Sequence, residues 1–570
     1  MVKRILSVKK EKTLEKVKLS LAPEKCSGCG ICRLVCALTN YKRNNPKIAH
    51  IKIAAQFPDP GGYKISFKNC RFCGECIKWC PTGALTGAFP ESIKKPPLAE
   101  LMAKPTLEKK LGGYAGRILY VNLTKKKFTA RPLPEKLAKE YIGGRGLAAY
   151  LLYQKTRRFF TLPLGPENRV VMASGPLSGV FVPAGGKITF ASKSPLTKGY
   201  GDSNMGGHLS AELKYAGYDA IVIWGKAKKP SVLVIDDDHI ELRDGSKYWG
   251  KFSMDAEKML KDDLGEDFQI AVIGPAGENL VHFACVSHDF GRQAGRTGIG
   301  AVLGSKNLKA ICIRGSKDIP LFDTEAVFTK GKEMFKACLD DPGREIWKYW
   351  GTPGVTGWVN DSLGALPVKN FQTEALENCD SITGDRMRKE IVKYDKACGL
   401  CPMPCGKWSH AKKDGKYDVL VEGPEYETIA LCGSNCGLTD IKDIAYANYL
   451  CDQYGIDTIS AGGVIAFAME CFEKGIIPKW EVDGHEIKFG DIDSFKLLVE
   501  KIAARQGIGK ILALGTKRAA QIRDFGSEKF AIQAKGLEWS GYGSRWAPAQ
   551  MLAYITCDVG AHHNRCWVIG

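Results

Sequence analysis

The chain has 570 residues, 44% hydrophobic and 25% charged, with a mean hydropathy of −0.17. Such values exclude a mainly disordered chain, and no run approaches the roughly 18 consecutive apolar residues of a membrane helix. The net charge of +20 is uneven, since residues 1–111 hold 22 Lys and Arg against 8 Asp and Glu.

At about 150 residues per domain, the length predicts three or four domains. The opening Met-Val-Lys-Arg-Ile-Leu-Ser-Val-Lys-Lys is too charged for a secretion signal and holds no twin-Arg motif, so the reading is cytoplasmic. A basic N-terminal segment taken alone suggests nucleic acid, an acidic partner or a solvated lysine surface. The cysteines discriminate. Eleven of the 21 fall into three tight groups, the habit of metal-binding rather than disulfide-bonded chains.

Cys26, Cys29, Cys32 and Cys36 follow C-x2-C-x2-C-x3-C, and Cys70, Cys73, Cys76 and Cys80 repeat it before Pro81. In bacterial two-cluster ferredoxins with this spacing, the fourth cysteine of each run serves the other cluster. The spacing therefore predicts one [4Fe–4S] site from Cys26, Cys29, Cys32 and Cys80, and a second from Cys70, Cys73, Cys76 and Cys36. Zinc sites use paired ligands with longer spacers. Each cubane with its thiolates carries net negative charge, which accounts for the surrounding lysines and argues against nucleic acid; an acidic redox protein is the expected partner. Residues 1–90 are thus expected to form a ferredoxin-like domain, and the proline-rich stretch 91–111 a linker.

From residue 112 short β-rich runs alternate with turns: Gly116–Leu123, Arg169–Ser174, Lys187–Ala191, Ala220–Trp224 and Ser231–Asp236. After about residue 322 the pattern turns mostly helical, as in Thr324–Leu339 and Ile441–Tyr454. The expected class is α+β: a ferredoxin-like domain, a β-rich domain over 112–321, a helical domain over 322–520, and the start of a further helical domain over 521–570. Gly298-Ile-Gly-Ala-Val-Leu-Gly304 approximates a dinucleotide loop but is spaced G-x-G-x3-G, with no apolar strand before it. Its glycines still permit close backbone approach, and Arg296 suits a phosphate. Cys398, Cys401 and Cys405 form C-x2-C-x3-C, which is one ligand short. His410 would complete a zinc site, and a distant cysteine would complete a cluster.

Several segments carry a resemblance in chain order. They are Ser194-Pro-Leu-Thr, Asn204-Met-Gly-Gly, Ala211–Asp219, Gly274-Pro-Ala-Gly-Glu-Asn, Ala294-Gly-Arg-Thr-Gly-Ile-Gly, Gly304–Ala310 and Leu366-Pro-Val-Lys-Asn-Phe. The three cysteines, Glu422-Gly-Pro-Glu-Tyr-Glu and Asp452-Gln-Tyr-Gly-Ile-Asp-Thr-Ile-Ser follow. Together residues 112–570 resemble the aldehyde:ferredoxin oxidoreductase family. The resemblance implies tungsten or molybdenum held by two pyranopterins, with a [4Fe–4S] cluster nearby. By position it implies pterin contacts at Lys187, Asn204, Gly206, Gly207, Arg296, Thr297, Asp452 and Asp457. It also implies an acid/base at Glu427, with Glu422 and Glu425 as alternatives, and a proton donor or pterin contact at His563. Cys398, Cys401 and Cys405 become cluster ligands, giving three [4Fe–4S] clusters in all.

Magnesium bridging the pterin phosphates and a homodimer are further implications. The implied reaction oxidises an aldehyde to a carboxylic acid and passes electrons to ferredoxin or another redox subunit. The alternatives are a catalytic subunit like that of class II benzoyl-coenzyme A reductases and a non-catalytic electron-transfer subunit. Three positions depart from the family pattern. The family's relay histidine aligns near Gln550, and its interface metal ligands fall on Tyr446 and Tyr449. A later D-x-x-G-L-C motif, supplying the fourth cluster cysteine, would lie past Gly570, so the expectation is a catalyst incomplete as it stands. Cys432, Cys436, Cys557 and Cys566 are the substitutes within the chain.

Overall fold

The computed structural model describes residues 2–9, 14–56, 62–88, 111–156 and 160–569. The expected linker over 91–111 lies outside the described residues, apart from its last position. No helix among the described residues is long and apolar enough to cross a membrane.

The two cysteine runs fold alike because each carries a glycine after its second cysteine. Gly30 and Gly74 take left-handed backbone (φ 72° and 78°) at the N-caps of the helices Ile31–Tyr41 and Glu75–Lys78. The chain thus turns sharply from a loop of cysteines into a helix that presents the next one. The helix Ile31–Tyr41 has two working faces. Cys32 and Cys36, at i and i+4, join the N-terminal core, whereas Ile31, Leu34, Val35 and Leu38 pack on Phe181, Phe328, Phe335, Ala397 and Leu400 of the larger unit. Each of these buried aliphatic side chains contributes about 1.5–3 kcal/mol to docking.

Polar contacts edge that interface. Arg43 forks onto Asp318 (2.6 and 3.1 Å), Asn44 donates to the Gly179 carbonyl (2.8 Å), and Lys47 pairs with the buried Glu212 (2.9 Å). Leu400 N–H donates to the Cys29 carbonyl (2.9 Å), and Ala397 N–H to that of Ser27 (3.0 Å).

The middle of the chain forms two mixed six-stranded sheets. In spatial order, the first is Tyr200–Met205, Ile188–Lys193, Val170–Ser174, Ala220–Trp224, Arg117–Asn122 and Lys127–Pro132. The second is His239–Asp244, Ser231–Asp236, Leu308–Arg314, Gln269–Val272, Val286–His288 and Arg292–Ala294. Side chains alternate between layers, as the period of two requires. Leu119, Val121, Ile221, Ile223, Leu233, Ile235, Ile311 and Ile313 share the core between the sheets. Their neighbours Ile118, Ala220 and Val222 face the helices Glu135–Tyr141 and Gly144–Thr156, while Val232, Val234 and Cys312 face Ser253–Leu264.

The glycine run does not form a phosphate loop. It is the buried helix Ile299–Ser305, and a Cβ at Gly300 or Gly304 would come within 2.2 Å of the Cys285 carbonyl oxygen or 1.9 Å of that of Gly277. Those glycines admit backbone-to-backbone packing between the sheets. A strand does precede it, the three-residue Arg292–Ala294, which polar side chains conceal from hydropathy.

The helical part follows with Thr324–Asp340, Ile441–Tyr454 and the buried Thr458–Glu473. One departure matters for the site. Val392–Lys396, Gly406–Lys413 and Tyr417–Glu422 form an antiparallel sheet, and the loop between its first two strands carries Cys398, Cys401 and Cys405. Lysine-rich strands of this kind carry little apolar alternation to announce them. Residues after 521 pack into the same core as the helices, through Leu537, Tyr542, Tyr554, Val559 and Ala561.

Candidate functional site

Cys26, Cys29, Cys32 and Cys80 line one cavity of the N-terminal unit, and Cys36, Cys70, Cys73 and Cys76 line another. The fourth member of each set crosses over from the other run. Backbone and side-chain N–H groups point at the sulfurs of the second set: His50 N–H to Cys36 (3.3 Å), Phe72 N–H to Cys70 (3.4 Å), and Asn40 Nδ2 to Cys36 and Cys73 (3.6 and 3.8 Å). Donors of this kind stabilise negative sulfur, so the arrangement suits a thiolate-ligated cluster.

A larger cavity of about 430 Å³ lies where the two sheets meet the helices. Lys187, Asn204, Gly206, Asp452, Asp457, Glu427, Cys398, Cys401 and Cys405 all line it, so most of the residues singled out from sequence converge here. Gly206 sits against the cysteine loop, where an added Cβ would come within 2.6 Å of Cys398 Sγ. The Gly207 carbonyl accepts from Gly399 N–H (3.0 Å), with Gly207 itself at φ 89° beside His288.

Gln293, Asn448 and Asp452 form a hydrogen-bonding edge. Gln293 Nε2 and Asn448 Nδ2 donate to Asp452 at 3.0 and 2.9 Å, and burial pushes the Asp452 carboxyl well above the ordinary range. Asp457 caps the helix Thr458–Glu473, accepting from Ile459 and Ser460 N–H (3.3 and 3.1 Å). Its carboxylate also lies 3.1 Å from Arg296 Nε. A donor and acceptor set with room for a ring system, closed at one end by three sulfurs, fits a pterin cofactor beside an iron–sulfur cluster.

Arg296 and Thr297 fall outside the residues lining this cavity. The Arg296 guanidinium is buried and donates to the Glu538 carbonyl (2.6 Å), Ser540 Oγ (3.1 Å) and the Ala561 carbonyl (3.3 Å), which clamps the C-terminal segment against the sheets. Arg296→Ala is therefore expected to lower unfolding stability by about 3–5 kcal/mol, since it leaves Asp457 buried without its cation. Thermal denaturation of the purified variant measures this, and an unchanged midpoint would contradict the clamp.

Glu427 and His563 come together from distant parts of the chain. His563 Nδ1 lies 3.2 Å from Glu427 Oε1 and 3.0 Å from Ser540 Oγ, while Gly541 N–H donates to Glu427 Oε2 (2.8 Å). Burial raises the Glu427 carboxyl to about 7, against the partial opposition of the Gly541 N–H and Arg296. Burial and the Arg296 charge lower His563 to about 3, so its imidazole is neutral near pH 7. The pair is a raised-pKa acid beside a neutral imidazole rather than a salt bridge, and Glu427 Oε1 is left without a hydrogen-bond partner.

The alternative glutamates are otherwise engaged. Glu422 lies 2.7 Å from Arg292 and 3.1 Å from Lys396, and Glu425 accepts from Thr352 Oγ1. Lys396 also reaches Asp289 (3.2 Å). This buried chain of Arg292, Glu422, Lys396 and Asp289 behind the three cysteines has no spacing signature and was not legible in the sequence.

The other cysteines lie elsewhere. Cys432 Sγ points to the Thr458 carbonyl (3.2 Å), Cys436 to that of Leu431 (3.3 Å), Cys557 beside Asp558 (3.5 Å), and Cys566 is exposed. His410 pairs with Asp418 (2.6 Å) on the small sheet, outside the lining of the cavity. Gln550 is buried and holds Val568 N–H and the Cys566 carbonyl (2.9 and 3.2 Å). Tyr446 and Tyr449 belong to an aromatic stack with Tyr417.

Residues 17–85 match the 4Fe-4S dicluster domain. Residues 118–315 match the N-terminal domain of aldehyde ferredoxin oxidoreductase, and 330–570 its domains 2 and 3. The tungsten-containing aldehyde ferredoxin oxidoreductase of Pyrococcus furiosus is 41% identical over 461 residues, 80% of this chain and 75% of that one. The WOR-like subunit of an aliphatic sulfonate oxidoreductase from the same organism is 35% identical over 454 residues, 76% and 72% of the two chains. Among solved structures, the active-site complex BamBC of benzoyl coenzyme A reductase superposes with a TM-score of 0.70 at 29% identity, covering 79% of this chain and 70% of that one. The sequence motifs, the fold and these matches agree: the chain belongs to the aldehyde ferredoxin oxidoreductase family, joined to a ferredoxin-like dicluster domain.

Proposed function

We propose that the protein is a tungsten–pterin oxidoreductase that converts an aldehyde and water to a carboxylic acid, two protons and two electrons. The observation that carries this reading is one cavity shared by Glu427, the Asp452 and Asp457 edge, and the three cysteines. Lys187, Asn204, Gln293, Asn448, Asp452 and Asp457 would hold the pterins, and Cys398, Cys401 and Cys405 would hold a cluster at the end of the cavity. When bound, the metal supplies the two-electron acceptor for the carbonyl carbon.

The chain's own residues handle protons and position. Glu427, with a carboxyl poised near 7, takes and returns a proton at Oε1 or Oε2. Gly541 N–H, donating to Oε2 (2.8 Å), keeps Glu427 oriented, and neutral His563, held by Ser540, brings no charge beside it. The N-terminal cysteine sets then connect the site to an external ferredoxin.

The likeness to benzoyl coenzyme A reductase leaves reduction of an aromatic ring carried on a coenzyme A thioester as a second reading, but the higher identity to aldehyde ferredoxin oxidoreductases favours the first. Elemental analysis of the anaerobically purified protein tests the proposal. The expected result is one tungsten and about twelve irons per chain, from three cubanes. Zinc without tungsten or molybdenum would reject it.

A further inference from the structure

The two N-terminal cysteine sites are not equivalent in their surroundings. Cys29 of the first set contacts the larger unit directly: its carbonyl accepts from Leu400 N–H (2.9 Å), and it packs with Ala397 and Leu400. Cys29 also lines one cavity together with Gly399 and Leu400 of the cysteine loop. Cys32 in turn shares the N-terminal core with Cys36 and Cys76 of the second set. The first set therefore adjoins the cysteine loop of the larger unit through Cys29, while the cavity of Cys36, Cys70, Cys73 and Cys76 is lined by N-terminal residues alone. Cys70 and Cys73 are only half-buried, whereas Cys26, Cys29 and Cys32 are buried.

The N-terminal unit is also rich in positive charge. Residues 19–56 and 62–88 hold ten Lys and Arg and two acids, Glu24 and Glu75. Lys42, Arg43 and Lys47 pair with Glu325, Asp318 and Glu212 of the larger unit, so they serve docking within the chain. Lys52, Lys64, Lys68 and Lys78 remain exposed. Lys52 and Lys64 stand on the outer side of the hairpin Ile51–Gln56/Gly62–Phe67, whose inner residues Ile51 and Ile65 are buried. Lys68 and Lys78 flank cysteines of the second run in sequence, and Arg71 lines the cavity of Cys36, Cys70, Cys73 and Cys76. Glu75 is turned inward, accepting from Trp79 Nε1 (3.0 Å).

We propose that Lys52, Lys64, Lys68 and Lys78 form the docking face for an acidic electron-carrier protein on the N-terminal unit. The assignment rests on the proposed redox function and adds to it where the partner binds. Lysine rims of this kind steer a carrier of opposite charge and fix its orientation, without contributing much buried area. Each cluster of the carrier takes one electron, so the two electrons of each aldehyde reduce two carrier clusters, on one or two carrier molecules, and the two protons leave to solvent.

The test is binding, measured by calorimetric titration of the anaerobically purified full chain with an acidic two-cluster ferredoxin at increasing KCl. Wild type is expected to bind more weakly as salt rises. The variant Lys52→Glu/Lys64→Glu/Lys68→Glu/Lys78→Glu is expected to raise Kd by about tenfold or more. A comparison variant, Lys125→Glu/Lys126→Glu/Lys127→Glu, changes charge on the exposed turn of the first six-stranded sheet and is expected to leave Kd within about twofold of wild type.

Electron paramagnetic resonance of the reduced four-lysine variant establishes that its clusters are retained. An unchanged Kd in that variant with intact signals would overturn the proposal, as would equal weakening by the comparison variant. Loss of signals calls for the paired single variants Lys52→Glu and Lys64→Glu, which lie away from the cysteines and are held to the same criterion. Because binding needs neither tungsten nor aldehyde, a failed redox function would show in metal content and not in these affinities.

Discussion

Replacing Glu427 by Gln is expected to lower aldehyde-dependent dye reduction by about 10²–10⁴-fold while iron and tungsten contents stay at wild-type values. Gln keeps the volume and can still accept from Gly541 N–H, but it cannot gain or lose a proton. The same substitution is expected to make the protein more stable at alkaline pH. The carboxyl is raised from 4.5 to about 7 by burial, so the native state holds a proton that the unfolded state has released. Stability linked to this group is present in full below about pH 4.5 and is lost as pH rises through 7. Removing it therefore recovers up to about 3 kcal/mol above pH 7, and nothing at pH 4. Melting curves of both proteins at pH 5 and pH 8 measure this. A variant with wild-type turnover would dismiss Glu427 as the acid/base, and a variant less stable at pH 8 would dismiss the buried-carboxyl account.

The second large effect is expected at Gly206. An alanine there brings its Cβ to 2.6 Å from Cys398 Sγ, a separation that forces the sulfur or the strand Tyr200–Met205 to move. A cluster ligand tolerates little displacement, so Gly206→Ala is expected to lose about four of roughly twelve irons and retain the two N-terminal clusters. Iron analysis with electron paramagnetic resonance reads this directly, because the remaining signals belong to the dicluster domain. Retention of all the iron, with an unchanged spectrum, would remove Cys398 from the ligand set. Loss of all the iron would point instead to general misfolding.

The cysteine sets were legible in the sequence because their geometry is local. Spacers of two residues, with Gly30 and Gly74 at the turn, bring sulfurs together through backbone conformation alone. The strands Ala220–Trp224 and Ser231–Asp236 and the helix Ile441–Tyr454 were equally plain, since apolar runs and periodic faces report burial directly. The glycine run over 298–304 was ambiguous, because a glycine that admits a phosphate and one that admits a neighbouring carbonyl look alike until the fold is known. The lysine-rich strands around Cys398–Cys405 were missed for the opposite reason, their apolar content being too low to show a period.

Sequence by itself determined which atoms are available: eleven clustered thiols, an excess of positive charge at one end, and the motifs of the family. Tertiary structure alone decided what those atoms do. Long-range packing turned Arg296 from a phosphate candidate into a clamp on the C-terminal segment and tied Glu422 to Arg292 and Lys396. It also left Glu427 buried beside a neutral His563 and set Cys29 against Leu400. The reason is physical. Backbone geometry acts over a few neighbouring residues, whereas desolvation and charge pairing depend on groups that only folding brings within a few ångströms.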